Sequence, residues 1–263
     1  METLGFALLG WALSATLMTA CWAWHLRVRN AAVVDVGWAA SLMLLSLVYA
    51  AIGPGWMVRR WVMAAMFVVW GGRLSLYLLR ERVLDRPEDA RYADLRERNS
   101  PAAAFRFYPF FQAQALLAVL LSTPALLVAF NVAPRFAPIE IAALVLWAGA
   151  FAGESLADRQ LARFKVRPES GSTTCREGLW RFSRHPNYFF EWVVWVAYAL
   201  FASASPWGIL ALACPALMLY LLFRVTGIPA TEAQAVRRRG EDYRRYQATT
   251  SVFVPMRPRQ VQS

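Results

Sequence analysis

The sequence is poor in the residues that build metal centres and covalent frameworks. Its 263 residues include 3 cysteines, Cys21, Cys175 and Cys214. An odd, widely spaced set argues against a disulfide framework and fits no zinc-site spacing. His25 and His185 are the only two histidines, and no Cys, His, Asp and Glu cluster has metal-ligand spacing, so no metal is expected. Neither GxGxxG nor GxxxxGK[ST] occurs, which excludes nucleotide binding through a Rossmann turn or a P-loop. There is no internal repeat, low-complexity tract or Gly/Ser linker. A single domain over residues 1–263 is therefore expected, with 150–257 its most diagnostic part.

What the chain has in excess is apolar and aromatic: 58% of it is hydrophobic, with 12 Trp and 16 Phe, well beyond an ordinary soluble domain. Runs long enough to cross a bilayer occur at about Leu4 to Trp24, Ala31 to Ile52, Trp61 to Leu79, Tyr108 to Phe130, Ile139 to Ala157, Tyr188 to Phe201 and Gly208 to Phe223. The fold class expected is an all-α, polytopic membrane bundle of about seven transmembrane helices. The first run, with Glu2 before it and no small-residue cleavage site ahead of His25, reads as a retained helix rather than a signal peptide.

The net charge of +11 raises the question of nucleic acid. Its distribution answers it. Segments 26–32, 80–107, 158–187 and 224–263 carry 24 of the 28 Lys and Arg, against Arg59, Arg60 and Arg135 in the alternate connections and Arg73 within the third run. That asymmetry is the positive-inside pattern, with the N-terminus outside and the C-terminus cytoplasmic. Nucleic acid is not needed to explain it. The alternate connections "IGPGWMVRR", "NVAPRFAP" and "ASASPWG" are short turns. The basic segments are longer and aromatic; "DARYADLRER" reads as an interfacial helix, so function is expected at the cytoplasmic face.

Ionisable residues at membrane depth are costly unless paired or functional. Asp35, Arg73, Glu154, Asp158, Glu191 and Arg224 stand out. Glu154 with Asp158, and Asn187 with Glu191, are spaced i,i+4, so each pair lies on one helix face. In "RFSRHPNYFFEWVVW", Pro186 suits a first helical turn, which places free backbone N–H groups beside Arg181 and Arg184. That combination binds a phosphate; either arginine alone would equally serve as a positive-inside anchor. Asp35 is read as a structural partner of Arg73 or as a substrate-facing group, and Trp38, Trp70 and Trp192 as packing or as ligand stackers. Tyr243 and Tyr246 either cover a cofactor's adenine or dock the tail.

The runs "GLWRFSRHPNYFFEWVVWVAYALF" and "TGIPATEAQAVRRRGEDYRRYQATTSVFVP", with the upstream "DVGW", "WGGRLSLYLL", "RY" and "ADRQLARF", resemble bacterial uncharacterised membrane proteins grouped with the steroid 5α-reductase superfamily. The resemblance implies a seven-helix reductase of the bacterial inner membrane. NADPH would lie in a cavity open to the cytoplasm, and a lipid-like substrate would enter from the bilayer. It implies cofactor contacts at Tyr77, Asp158, Lys165, Asn187 and Glu191. Arg181, Arg184, His185, Tyr188, Arg224, Glu232, Tyr243 and Tyr246 join them from the same motifs. Asp35, Trp38 and Arg73 are the candidate catalytic residues. Steroid reductases carry a Gln-Glu pair on helix two and a Tyr on helix three. This chain has Asp35 and Trp38, and Trp70 three residues before Arg73, which leaves steroid, isoprenoid and fatty-acyl substrates open.

"RHPNY" followed by "GEDYRRYQ" also resembles the isoprenylcysteine carboxyl methyltransferases and phospholipid methyltransferases, which bind S-adenosylmethionine at the same end of the bundle. Asn187, Glu191 and "ADRQL" favour the reductase. A non-catalytic membrane protein or transporter is the third reading, although neither duplicated halves nor paired broken helices are found. Partners expected are the lipid-like substrate and membrane lipids. The oligomeric state is left open, a monomer included.

Overall fold

A computed structural model describes residues 2–84, 88, 92, 103–225 and 227–259, with only the backbone at 103–106. Most of "DARYADLRER" lies outside the described residues. The chain forms two compact units, one of Met1–Ala137 with Ala202–Ala211, the other of Pro138–Phe201 with Leu212–Ser263. No strand occurs among the described residues, and the fold is an all-α polytopic membrane bundle.

The first unit contains α1 (Glu2–Val28), α2 (Val33–Ile52), α3 (Met57–Leu78), α4 (Ala103–Leu121) and the short α5 (Thr123–Val128). α3 widens into a π turn over Leu79–Val83, closed by the Leu84 amide on the Leu79 carbonyl at 2.9 Å. The second unit contains α6 (Pro138–Lys165), α7 (Pro186–Ala202), α8 (Ala213–Tyr220), α9 (Ile228–Arg239) and α10 (Glu241–Thr249); the last residue of α7, Ala202, falls in the first unit.

Among the described residues, five stretches are long and apolar enough to cross a bilayer: Glu2–Val28, Val33–Ile52, Met57–Val83, Pro138–Lys165 and Gly208–Arg239. The other two of the seven apolar runs form shorter helices, Phe107–Leu121 within α4 and the 17-residue α7. At 1.5 Å per residue α7 is about 26 Å long, near the thickness of the hydrocarbon layer. The run expected over Tyr108 to Phe130 is broken at Ser122, where Pro124 opens α5. The apolar part of the last stretch ends before Gly227, whose φ of −97° and ψ of −105° interrupt the helix. Beyond it α9 carries Glu232 and three consecutive arginines, so α9 and α10 stand outside the apolar layer.

Packing in the first unit centres on α2 and α3. Leu42, Leu45, Tyr49, Phe67 and Trp70 are fully buried. Gly71 lets the two helices close, since a Cβ there would stand 2.6 Å from Met43. Trp70 meets Trp38 edge-on at 6.0 Å and Phe67 at 6.4 Å. It is a core residue, the packing side of the sequence alternative.

The start of α2 is built to hold a carboxylate. Asn30 Oδ1 accepts from the Ala32 amide at 3.0 Å, and Glu88 Oε1 from the Ala31 amide at 2.8 Å. Both use the free N–H groups of a helix start. Asp35 follows in the first turn, where the helix dipole favours its charge.

Candidate functional site

The polar centre of the second unit is formed by α6, α7 and the C-terminal segment. On α6, Glu154 and Asp158 are one turn apart and only 3% and 7% exposed. On α7, Glu191 is 8% exposed and accepts from Trp195 Nε1 of its own next turn at 2.9 Å. Asn187 Nδ2 donates to Asp158 Oδ1 at 3.2 Å. The two i,i+4 faces read from the sequence are thus brought together, and three buried carboxylates share one region with the start of α7. Carboxylates in such a place accept hydrogen bonds from amide and hydroxyl donors or balance a cation.

The loop between α6 and α7 is fixed against α6. Trp180 Nε1 donates to the Ala157 carbonyl at 2.9 Å, and Gln160 Oε1 accepts from the Leu179 amide at 2.9 Å. Gly178 is required where the loop crosses Gln160: its φ is +55°, and a Cβ would meet that side chain at 2.2 Å. Ser183 then caps the start of α7, its hydroxyl accepting from the His185 amide at 3.1 Å and donating to the Phe253 carbonyl at 2.7 Å.

Of the two arginines expected to bind a phosphate at the start of α7, Arg181 is exposed and Arg184 is paired with a carboxylate of the chain itself. Arg184 donates from Nε to Glu232 Oε1 at 2.6 Å and from Nη2 to Oε2 at 3.1 Å. Its Nη1 reaches the carbonyls of Gln247 at 2.9 Å and Thr250 at 2.8 Å, so four of its five donors are used within the protein. Glu232 also contacts His185 Nε2 at 3.1 Å, accepts from Gln247 Nε2 at 2.7 Å, and accepts from the Tyr243 hydroxyl at 3.3 Å. Burial alone would raise the carboxyl's pKa. The hydrogen bonds from His185, Arg184 and Gln247, with the Arg184 charge, outweigh it and hold the pKa at about 2.

The two tyrosines dock the tail. Tyr243 is buried on Glu232, and Tyr246 is buried with its hydroxyl on the carbonyls of Trp180 and Ser183. Burial, foremost, pushes both phenols well above their ordinary range, so they remain donors. Tyr188 stacks on the His185 ring at 5.4 Å with the planes 5° apart. Lys165, Arg181 and Arg224 are exposed. Arg167 is bound by both oxygens of Glu177, at 2.5 and 2.9 Å.

Asp35, Trp38, Arg73 and Tyr77 belong to the first unit. Arg73 and Tyr77 are half-buried and one turn apart on α3. Asp35 accepts from Arg82 Nη1 at 3.0 Å and from the Tyr92 hydroxyl at 2.8 Å. Neither partner was singled out in the sequence, although Tyr92 lies in its "RY" element. Gln247 was also missed. Its signal is helical spacing, one turn beyond Tyr243 on the face that docks.

The pattern of a family described as "Protein of unknown function (DUF1295)" matches residues 21–250. An uncharacterised protein of Schizosaccharomyces pombe, C594.04c, is 27% identical over 222 residues, which cover 74% of this chain and 64% of the relative. The chain thus spans just under two thirds of that relative's length. No solved structure matches significantly. With most of its length inside the matched pattern, the chain belongs to the DUF1295 family.

Proposed function

We propose that the chain is a membrane-embedded reductase that uses NADPH to reduce an activated C=C bond of a lipid-like substrate. The observation that carries this reading is the Asn187 to Asp158 bond, which gathers Glu154, Asp158 and Glu191 beside the start of α7. The resemblance of that motif to the steroid 5α-reductase superfamily supports it.

The residues fit the cofactor's chemistry. A carboxamide NH₂ and ribose hydroxyls are donors, and the buried carboxylates are acceptors. The phosphates need cations, and Lys165, Arg181 and Arg224 are the exposed ones among the expected contacts. Arg184 serves instead by holding the tail in place. When bound, the cofactor supplies the hydride. On the first unit, Asp35 holds the Tyr92 proton while Arg82 balances the carboxylate charge.

Purified protein in nanodiscs should bind NADPH in preference to NADH and to S-adenosylmethionine, read by quenching of tryptophan fluorescence. Asn187→Ala should weaken NADPH about 10-fold or more, because it removes an amide from the start of α7 that orients the Asp158 carboxylate. The buried carboxylates would also suit the cationic S-adenosylmethionine, which keeps a methyltransferase as the second reading. Tighter binding of S-adenosylmethionine than of NADPH moves the assignment there. Binding of neither points to a non-catalytic protein.

A further inference from the structure

The last described stretch, Thr250–Arg259, folds back over the start of α7 as a bent strap that closes on the end of α10. The Arg184 amide bonds the Ser251 carbonyl at 2.8 Å, the Met256 amide bonds the Phe182 carbonyl at 2.9 Å, and the Arg259 amide bonds the Thr249 carbonyl at 2.8 Å. Pro255 and Pro258 fix two more backbone angles. Phe253 turns inward and packs its ring 5.6 Å from Phe189, 6.0 Å from Trp192 and 5.2 Å from Phe223. These rings lie at the ends of α7 and of the last apolar span, so the strap sits where membrane helices leave the hydrocarbon.

The other side of the strap carries a different surface. Val254 and Met256 are 50% and 51% exposed, and Phe182, paired through its backbone with Met256, is 37% exposed. Arg257 and Arg259 are exposed, with no ion pair among the described residues, and residues 250–259 contain no acidic side chain. Unpaired guanidinium groups call for an anion, phosphate above all. Three apolar side chains beside them call for an apolar phase as well. A nucleic acid or an acidic peptide offers the first without the second, whereas the boundary between headgroup and acyl chain offers both.

We propose that the strap and Phe182 form a binding surface for anionic phospholipid. Arg257 and Arg259 take the headgroup phosphate, while Val254, Met256 and Phe182 enter the upper acyl region. The rigid backbone presents these groups without further ordering, which favours retention of bound lipid over transient contact.

The test uses the full chain in nanodiscs of mixed phosphatidylglycerol and phosphatidylcholine. Lipids retained after detergent exchange are counted by native mass spectrometry. Phosphatidylglycerol should be enriched. Arg257→Gln and Arg259→Gln should each lower its retention about fivefold, and Val254→Ser with Met256→Ser should lower it with both charges intact. Glycerol 1-phosphate, the headgroup chemistry without acyl chains, should fail to displace it. Thermal unfolding of the variants checks that the strap stays docked through Phe253. Equal retention of the two lipids, indifference to the arginine variants, or displacement by glycerol 1-phosphate or a polyglutamate peptide would overturn the proposal.

Discussion

Glu232→Ala is expected to undock the C-terminal segment and to lower stability by about 3–5 kcal/mol, the range for breaking a buried ion pair from one side. Arg184 has a side chain only 11% exposed and keeps two carbonyl partners but no counter-charge once Glu232 is gone. His185, Tyr243 and Gln247 lose their shared acceptor in the same step. Hydrogen exchange over 241–259 should rise, and protease should cut within Arg237–Arg239 while the apolar helices stay protected. Removing both charges, Glu232→Ala with Arg184→Met, should recover part of the loss, because no unpaired charge remains buried. A tail as protected as in the unaltered protein would show that the aromatic anchor at Phe253 suffices without the ion pair.

The same hub fixes a sign for pH. The Glu232 carboxyl is held at about 2, below its ordinary value of 4.5. Its contribution is fully present above pH 4.5 and is lost as pH falls through about 2. Tail protection should therefore decline from pH 4.5 downward. In Glu232→Gln that part of the pH dependence should vanish, leaving a lower and flatter profile.

Composition made the membrane class legible, because an apolar run of bilayer length has few other uses. The faces of α6 and α7 were legible too, since i,i+4 spacing is a property of the helix itself. Partner choice was harder. The basic cluster before Pro186 was read as a phosphate site, yet the anion on Arg184 is Glu232, 48 residues beyond it, and no local pattern specifies a contact of that separation. Asp35 shows the same limit: its contacts Arg82 and Tyr92 are 47 and 57 residues away. Tyr243 and Tyr246 were recognised as a pair, but whether aromatic rings meet a ligand or their own chain depends on where α10 docks. Arg59 was counted among the charges of an outer turn. It is buried, because a helix start and a returning loop enclose it.

That burial makes Arg59 the second site of large expected effect. The residue is 1% exposed. Its Nη1 donates to the carbonyls of Asn131 at 3.3 Å and Ala133 at 2.5 Å, and its Nη2 to that of Arg135. The guanidinium also lies 5.3 Å from the Trp56 ring and 5.7 Å from the Phe136 ring. Arg59→Leu keeps an apolar stem but takes the guanidinium donor from the Ala133 and Arg135 carbonyls, while that of Asn131 keeps the Trp56 amide at 2.8 Å, so a loss of about 3 kcal/mol is expected. Arg59→Lys should recover less than half of it, since one ammonium cannot span three acceptors or stack on two rings. Asn131 passes the loosening on, because its amide also holds the Ala204 carbonyl at 3.0 Å and Ser205 Oγ at 3.2 Å. Thermal unfolding in detergent measures the loss, and hydrogen exchange at 131–136 and 202–207 locates it. An unchanged melting temperature in Arg59→Leu would mean that water replaces the guanidinium at those carbonyls without penalty, and that the aromatic contacts alone close this end of the first unit.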